Sequence, residues 1–169
     1  CNSTCKTNER FPAEMTSVEG LALPLLQQLS AKDWRDVSLE VLEDHLKNAP
    51  DPQETDLWAC AEIANPRVEN EMLTPYRSFF KKVISKEEAG EFIKEPIRLV
   101  EWCKKEIQIN NELNSQRIPM SPIGVWKARV ADEKSRDIFF VAMARTLGIP
   151  ARIDKVTGKV QYTDKEGHT

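Results

Sequence analysis

The sequence predicts a predominantly helical α+β domain that ends in a short antiparallel β-hairpin. Three observations support this fold class. Apolar residues recur at helical spacing over much of the chain, Ser and Pro stand where helices would begin and end, and one stretch alone carries a hairpin signal. At 169 residues and 19.3 kDa, the chain has the length of one domain, or of one domain with a packed extension.

The first helices are expected after a polar, loosely ordered segment, residues 1–15. Ser38 precedes apolar residues that keep helical spacing as far as Leu46, and prolines follow shortly afterwards. Two more helices are predicted over residues 56–64 and 76–84. Asn65-Pro66 ends the first, and apolar residues lie on one side of the second.

Capping signals define the next two helices. Ser85 and Glu88 form a capping box, in which each side chain satisfies a backbone N–H at the helix start. Pro96 suits the first position of the helix that follows. Residues 110–122 are polar and contain two prolines, so we expect a connection there.

The C-terminal part combines one long helix with the hairpin. Asp132 is a candidate N-cap for a helix that extends to Leu147, and Gly148 suits the position after the C-cap. Residues 151–163 place apolar side chains on both sides of a turn at Gly158, which predicts two antiparallel strands.

Composition excludes several classes of protein. The chain has 24 basic and 27 acidic residues, and its pI near 5.6 lacks the basic character of a nucleic-acid-binding domain. No apolar run approaches the ~18–20 residues of a membrane-spanning helix. Two His and four Cys without a C-x-x-C pair argue against a zinc protein, and we predict no metal and no cofactor.

The N-terminal cysteine suggests a location for the protein. Cys1 followed by Asn-Ser-Thr suits a bacterial lipoprotein cut at a lipidated cysteine, which would be periplasmic or exposed at the cell surface. A disulfide between Cys1 and Cys5 is an alternative. The start at Cys1 and the stop soon after His168 are those expected of a piece of a longer polypeptide.

A family motif lies in the segment Ile138–Arg152, which reads IFFVAMARTLGIPAR. Its Arg145, followed by Leu-Gly-Ile-Pro-Ala-Arg, resembles the core of the transglutaminase-like superfamily, whose fold is shared with papain-type cysteine proteases. Upstream, Ser121–Val125 resembles the segment that leads into the nucleophile turn. Asn65–Glu71 resembles a motif found in bacterial members with helical N-terminal extensions.

The resemblance spans roughly residues 60–163 and suggests three regions. We predict a flexible segment over residues 1–15, a helical extension over 16–64, and a partial transglutaminase-like core over 65–169 that is truncated at its C-terminal end. The extension and the nucleophile-type helix are visible in the sequence, but most of the family's sheet is not.

Four residues form the structural part of the motif. Gly148 lets the backbone reverse, and Pro150 sets the first extended residue. Arg145 and Arg152 match the two arginines of the family pattern. For folding alone, the unit is a corner between a helix and a strand.

The resemblance implies a catalytic Cys at the start of the helix, fifteen residues before Gly148, where this chain has Glu133. A helix N-terminus would favour the thiolate of such a Cys, and a His oriented by an Asp or Asn would pair with it. Ser135 is the nearest other nucleophile, but it lies about 200° further around the helix. His168, sixteen residues after Arg152, is a candidate for the family His.

These observations predict a non-catalytic transglutaminase-like domain of a larger bacterial protein, with a structural or binding role and a protein or peptide as its candidate ligand. Trp126, Asp132 and Glu133 are the candidate residues of a residual cleft. One alternative is a divergent peptide or amide hydrolase, or an acyltransferase, that uses Ser135 or Glu133 with a His at or beyond His168. Another is a helical module that binds a partner.

Overall fold

The computed structural model describes residues 29–50 and 57–163, together with Leu25 and Gln27. Its helices, α1 to α8 in chain order, are Ala31–Asp36, Leu39–Lys47, Leu57–Ala64, Tyr76–Val83, Lys86–Lys94, Pro96–Glu106, Pro122–Ala128 and Glu133–Thr146. The strands β1 to β4 are Gln108–Ile109, Val130–Ala131, Ala151–Ile153 and Val160–Tyr162, and a 3₁₀ turn covers Asn111–Asn114. The predicted fold class, mostly helical with a short hairpin, is confirmed.

The described residues form two small sheets. One joins segments that are about twenty residues apart, and the other joins neighbouring segments. Strand β1 pairs with β2 in parallel, with Gln108 opposite Val130. Strand β3 pairs with β4 in antiparallel fashion, with Ala151 opposite Tyr162, which confirms the predicted hairpin. The parallel pair and the helices α1 and α7 were not predicted. The division of the chain at residue 65 stays a prediction.

Helix α8 lies at the centre of the core. Ten of its fourteen residues are buried, on all sides of the helix, as expected for a helix surrounded by others. It packs against α4, α6, α7 and β3. Its two ends therefore have fixed positions, and the candidate site lies at the N-terminal one.

Gly148 turns the chain from α8 into β3. Its φ of +82° lies in the left-handed region that favours glycine. The N–H of Ile149 donates to the carbonyl of Ala144 at 2.9 Å, and the N–H of Gly148 donates to that of Arg145 at 3.2 Å. This pattern is a Schellman motif, so the predicted helix end is confirmed.

Arg145 joins α8 to a distant segment of the chain. Its side chain is 2% exposed, and Nε donates to the carbonyl of Ala151 at 2.8 Å. Nη1 donates to the carbonyls of Asn65 and Arg67 at 3.1 and 3.0 Å, and Nη2 lies 2.6 Å from a carboxylate oxygen of Glu62. The buried guanidinium therefore has acceptors in three elements, which its burial requires.

Further hydrogen bonds fix the loop that Arg145 holds, residues 65–71. The carboxylate of Glu71 accepts the N–H groups of Val68 and Glu69 at 2.7 and 2.8 Å. The hydroxyl of Tyr76 donates to the carbonyl of Pro66 at 2.7 Å. The loop is thus held in one conformation against α8.

His45 is buried in its neutral form. Its Nδ1 accepts the Nε–H of Arg77 at 3.1 Å, so Nε2 carries the proton and donates to the carbonyl of Thr74 at 2.9 Å. Burial, together with the charge of Arg77, lowers the pKa of His45 to about 3. Protonation would remove an acceptor and place two positive charges side by side.

The depressed pKa of His45 predicts a loss of stability in mild acid. The folded pKa lies below the unfolded value of 6.5, so the unfolded chain binds the extra proton as the pH falls from 6.5 towards 3. Between about pH 7.5 and about pH 5.5 we expect the free energy of unfolding to fall by about 1.4 kcal/mol from this group. Urea denaturation at the two pH values measures this decrease in the free energy of unfolding. A His45→Gln variant should lack this decrease, and an equal decrease in that variant would assign it to other groups.

Replacing Arg145 should destabilise the fold. The variant Arg145→Met would leave three carbonyls and the Glu62 carboxylate without their buried donor, at an expected cost of about 3–5 kcal/mol in the free energy of unfolding. The matched control is Arg98→Met, because Arg98 also binds two carboxylates but on the surface. Equal urea midpoints for the two variants would contradict the anchoring role of Arg145.

Candidate functional site

The N-terminus of α8 is closed by Asp132. This residue is the predicted N-cap: its backbone is extended, and one carboxylate oxygen accepts the N–H of Ser135 at 3.1 Å. The other oxygen accepts the Ser135 hydroxyl at 2.6 Å and the Asn114 amide at 2.7 Å. Burial alone would raise the pKa of Asp132, but these hydrogen bonds outweigh it and lower the pKa below the ordinary value.

Glu133 is the first residue of α8, where the resemblance places a catalytic Cys. Its side chain is exposed. Its N–H donates to Oδ1 of Asn111 at 3.0 Å. The first backbone donor of the helix, which could otherwise face a ligand, is therefore already occupied.

Ser135 is inaccessible to a substrate. The residue is fully buried, and its hydroxyl donates to Asp132 while it accepts the N–H of Met120 at 2.9 Å. The structure thus places Ser135 in the helix cap. His168 and Cys1 lie outside the described residues. Both ring nitrogens of His45 are hydrogen-bonded, to Thr74 and to Arg77.

An open cleft of about 810 Å³ lies in front of this helix end. Its walls come from the loop at Glu69, the segment between β1 and α7, the first turns of α8 and the hairpin. The lining residues are Glu69, Asn111, Asn114, Ser115, Arg117, Pro119, Asp132, Glu133, Lys134, Asp137, Ile153 and Gly158. The structure therefore brings Asp132 and Glu133 together in one cleft.

The charges in the cleft are partly paired. Nζ of Lys134 lies 2.6 Å from a carboxylate oxygen of Glu69, which ties the loop over residues 65–71 to α8. Asp137, one helical turn after Glu133, accepts Nη2 of Arg136 at 3.0 Å. Burial raises the pKa of Asp137, and the charge of Glu133 acts in the same direction against the opposing effect of Arg136. In the part of the chain described, no three His, Cys, Asp or Glu side chains could jointly hold a metal ion.

Trp126 packs in an aromatic cluster. Its indole stacks on Trp102 with ring centres 5.3 Å apart and contacts Phe139 at 6.5 Å. The guanidinium of Arg129 lies over it, 4.1 Å from the ring centre. Trp126 is not among the cleft-lining residues of the described chain, so it supports α7 against α8 instead.

Among the motif residues, the structure gives Arg145 and Gly148 the roles described above, and Arg152 lies on the hairpin. Its Nε donates to Oε1 of Gln161 on the neighbouring strand at 3.0 Å. These residues connect α8 to its surroundings, and none of them lines the cleft in the described chain.

Two asparagines at the site were missed in the sequence. Asn111 and Asn114 lie in the segment predicted only as a polar connection, yet both side chains bind the N-terminus of α8. The frequency of Asn in that segment was the available signal, since Asn side chains often bind nearby backbone at caps and turns. The pattern does not say which distant group they reach.

Comparisons with known proteins agree with this architecture. The model of the transglutaminase-like superfamily matches residues 77–168, from the start of α4 past the hairpin. Searches of curated proteins and of solved structures gave no significant match. The described helices include none long and apolar enough to cross a membrane. Because the family match covers more than half of its residues, the chain belongs to the transglutaminase-like superfamily.

Proposed function

We propose that this transglutaminase-like domain does not catalyse acyl transfer and that its cleft binds a protein or peptide segment, as part of a larger bacterial protein. One observation carries the first statement. Glu133 occupies the first position of α8, and its N–H is bonded to Asn111. A carboxylate is a poor acyl-transfer nucleophile, and an occupied N–H is not available to stabilise an oxyanion.

Two other side chains that could act as nucleophiles, those of Ser135 and Cys103, are buried, which supports this proposal. The Ser135 hydroxyl is fully buried within the cap of α8. Cys103 is buried in α6, and burial raises the pKa of its thiol to about 12, so it stays protonated at neutral pH. Neither group lines the cleft.

The binding role rests on the cleft itself. Its volume of about 810 Å³ lies within the range typical of ligand sites, about 300–1,000 Å³. One wall is the loop that Arg145 and Glu71 hold in place, and a wall fixed before binding costs little ordering entropy when a ligand arrives. Glu133 is exposed within this cleft and free to meet a ligand through its side chain.

A second candidate function is hydrolysis with Glu133 as a base. Glu133 and Asp137 are one turn apart on α8 and line the same cleft. Burial raises the pKa of Asp137, which suits a carboxyl group that donates a proton as a general acid. This chemistry would not need a thiol.

Activity assays separate the two functions. With a fluorescent primary amine and a glutamine-bearing protein, or with amide and peptide substrates, we expect no product above the blank, because no Cys lines the cleft in the described part of the chain and Glu133 is a poor acyl-transfer nucleophile. The variants Glu133→Gln, Asp137→Asn and Ser135→Ala should behave as the wild type does. Turnover by the wild type that is lost in Glu133→Gln or Asp137→Asn would favour the hydrolase, and turnover lost only in Ser135→Ala would give Ser135 a catalytic role.

Panning of a random peptide library tests the binding role. Peptides selected on the wild-type protein should lose at least about tenfold in affinity, or ~1.4 kcal/mol, for Glu133→Lys, because the charge inside the cleft is reversed. The control is Glu106→Lys, which makes the same change at an exposed position on α6. Peptides that bind Glu133→Lys as tightly as the control would show that the cleft is not the binding site.

A further inference from the structure

The segment between β1 and α7 covers the N-terminal end of α8 and contributes few contacts of its own. We define the lid as residues 111–119. No residue of the lid is buried, and its two large aliphatic side chains, Leu113 and Ile118, are 72% and 62% exposed. A segment without buried apolar side chains gains little from packing, so its local stability depends on hydrogen bonds.

Two asparagine side chains connect the lid to α8. Oδ1 of Asn111 accepts the N–H of Glu133 at 3.0 Å, and Nδ2 of Asn114 donates to Asp132 at 2.7 Å. Asn114 also closes the lid on itself, because its amide donates to the carbonyl of Ile118 at 2.8 Å and accepts the N–H of Ile118 at 3.0 Å. Removing the Asn114 side chain would thus break both its contact with α8 and its contacts within the lid.

The backbone of the lid is strained and its ends are anchored. Arg117 has a φ of +52°, in the left-handed region that residues other than glycine rarely adopt. On one side Asn110 donates to the carbonyl of Ala131, and on the other Met120 donates to the hydroxyl of Ser135. The lid therefore has an anchored residue at each end and a residue in the left-handed region between them.

We propose that residues 111–119 open by local unfolding while the rest of the domain stays folded, and that this opening controls access to the N-terminal end of α8. Five lining residues of the cleft belong to the lid, namely Asn111, Asn114, Ser115, Arg117 and Pro119. Opening removes that wall and frees the N–H of Glu133. The motion is independent of whether the cleft binds a peptide or hydrolyses one.

Amide hydrogen exchange followed residue by residue tests the lid. The amides of Arg117, Ile118 and Glu133 should exchange faster than those in the middle of α8, and with little dependence on denaturant. In Asn114→Ala they should exchange about 3- to 10-fold faster again for each hydrogen bond lost. The amide of Ser135 is bonded within the cap and should change less.

The control variant is Asn48→Ala, which removes an asparagine that binds Asp44 on α2. It should leave the exchange of the lid amides unchanged. Lid amides that exchange at the same rate and with the same denaturant dependence as the α8 core would show that the segment opens only with the whole domain, and the proposal would fail.

Trypsin gives a second readout that does not depend on exchange. Arg117 is the one Lys or Arg within the lid, and cleavage after it requires the local backbone to leave its folded conformation. We expect a fragment cut after Arg117 under native conditions, formed faster in Asn114→Ala than in Asn48→Ala and absent in Arg117→Gln. Cleavage after Arg117 that is equally slow in Asn114→Ala and in the wild type would overturn the proposal.

Discussion

The buried guanidinium of Arg145 is the constraint on which the rest of the structure depends. A charge this deep in a protein is tolerated only where acceptors surround it, and here they come from the end of α3, the loop over residues 65–71 and the start of β3. One side chain thereby fixes the positions of three elements relative to α8. The cleft has a formed wall at Glu69 because Arg145 holds the loop beneath it.

At the opposite end of α8, the same helix presents a different chemistry. Its N-terminal groups are satisfied by Asp132 from within the helix cap and by Asn111 from the neighbouring segment. A helix end that attracts negative charge is thus capped by the carboxylate of Asp132 and by the neutral side-chain amide of Asn111. It is bordered by Glu133, which the helix dipole stabilises by about 0.3–1 kcal/mol. This arrangement is the basis for the binding role that we propose for the cleft.

Signals from neighbouring residues predicted where helices begin and end. Contacts between distant parts of the chain were visible only in the structure. Asp132 and Gly148 identified the two ends of α8, because capping and left-handed turns depend on single residue types. Strands β1 and β2 were missed, since two-residue strands carry no periodicity and lie about twenty residues apart. In the candidate site, the sequence placed Glu133 but not its bond to Asn111, which joins a loop to a helix across 22 residues.

The corner at Gly148 has a consequence for how relatives of this chain are recognised. Its φ of +82° excludes most side chains, and an added Cβ would lie 3.4 Å from Pro50. Gly148 and Arg145 are needed for folding, whether or not the start of α8 carries a nucleophile. The family signature around Arg145 and Gly148 therefore describes the architecture at the C-terminal end of α8, and it can persist whichever residue stands at the N-terminal end. A match to it predicts the fold of a relative and leaves the chemistry to the residues of its cleft.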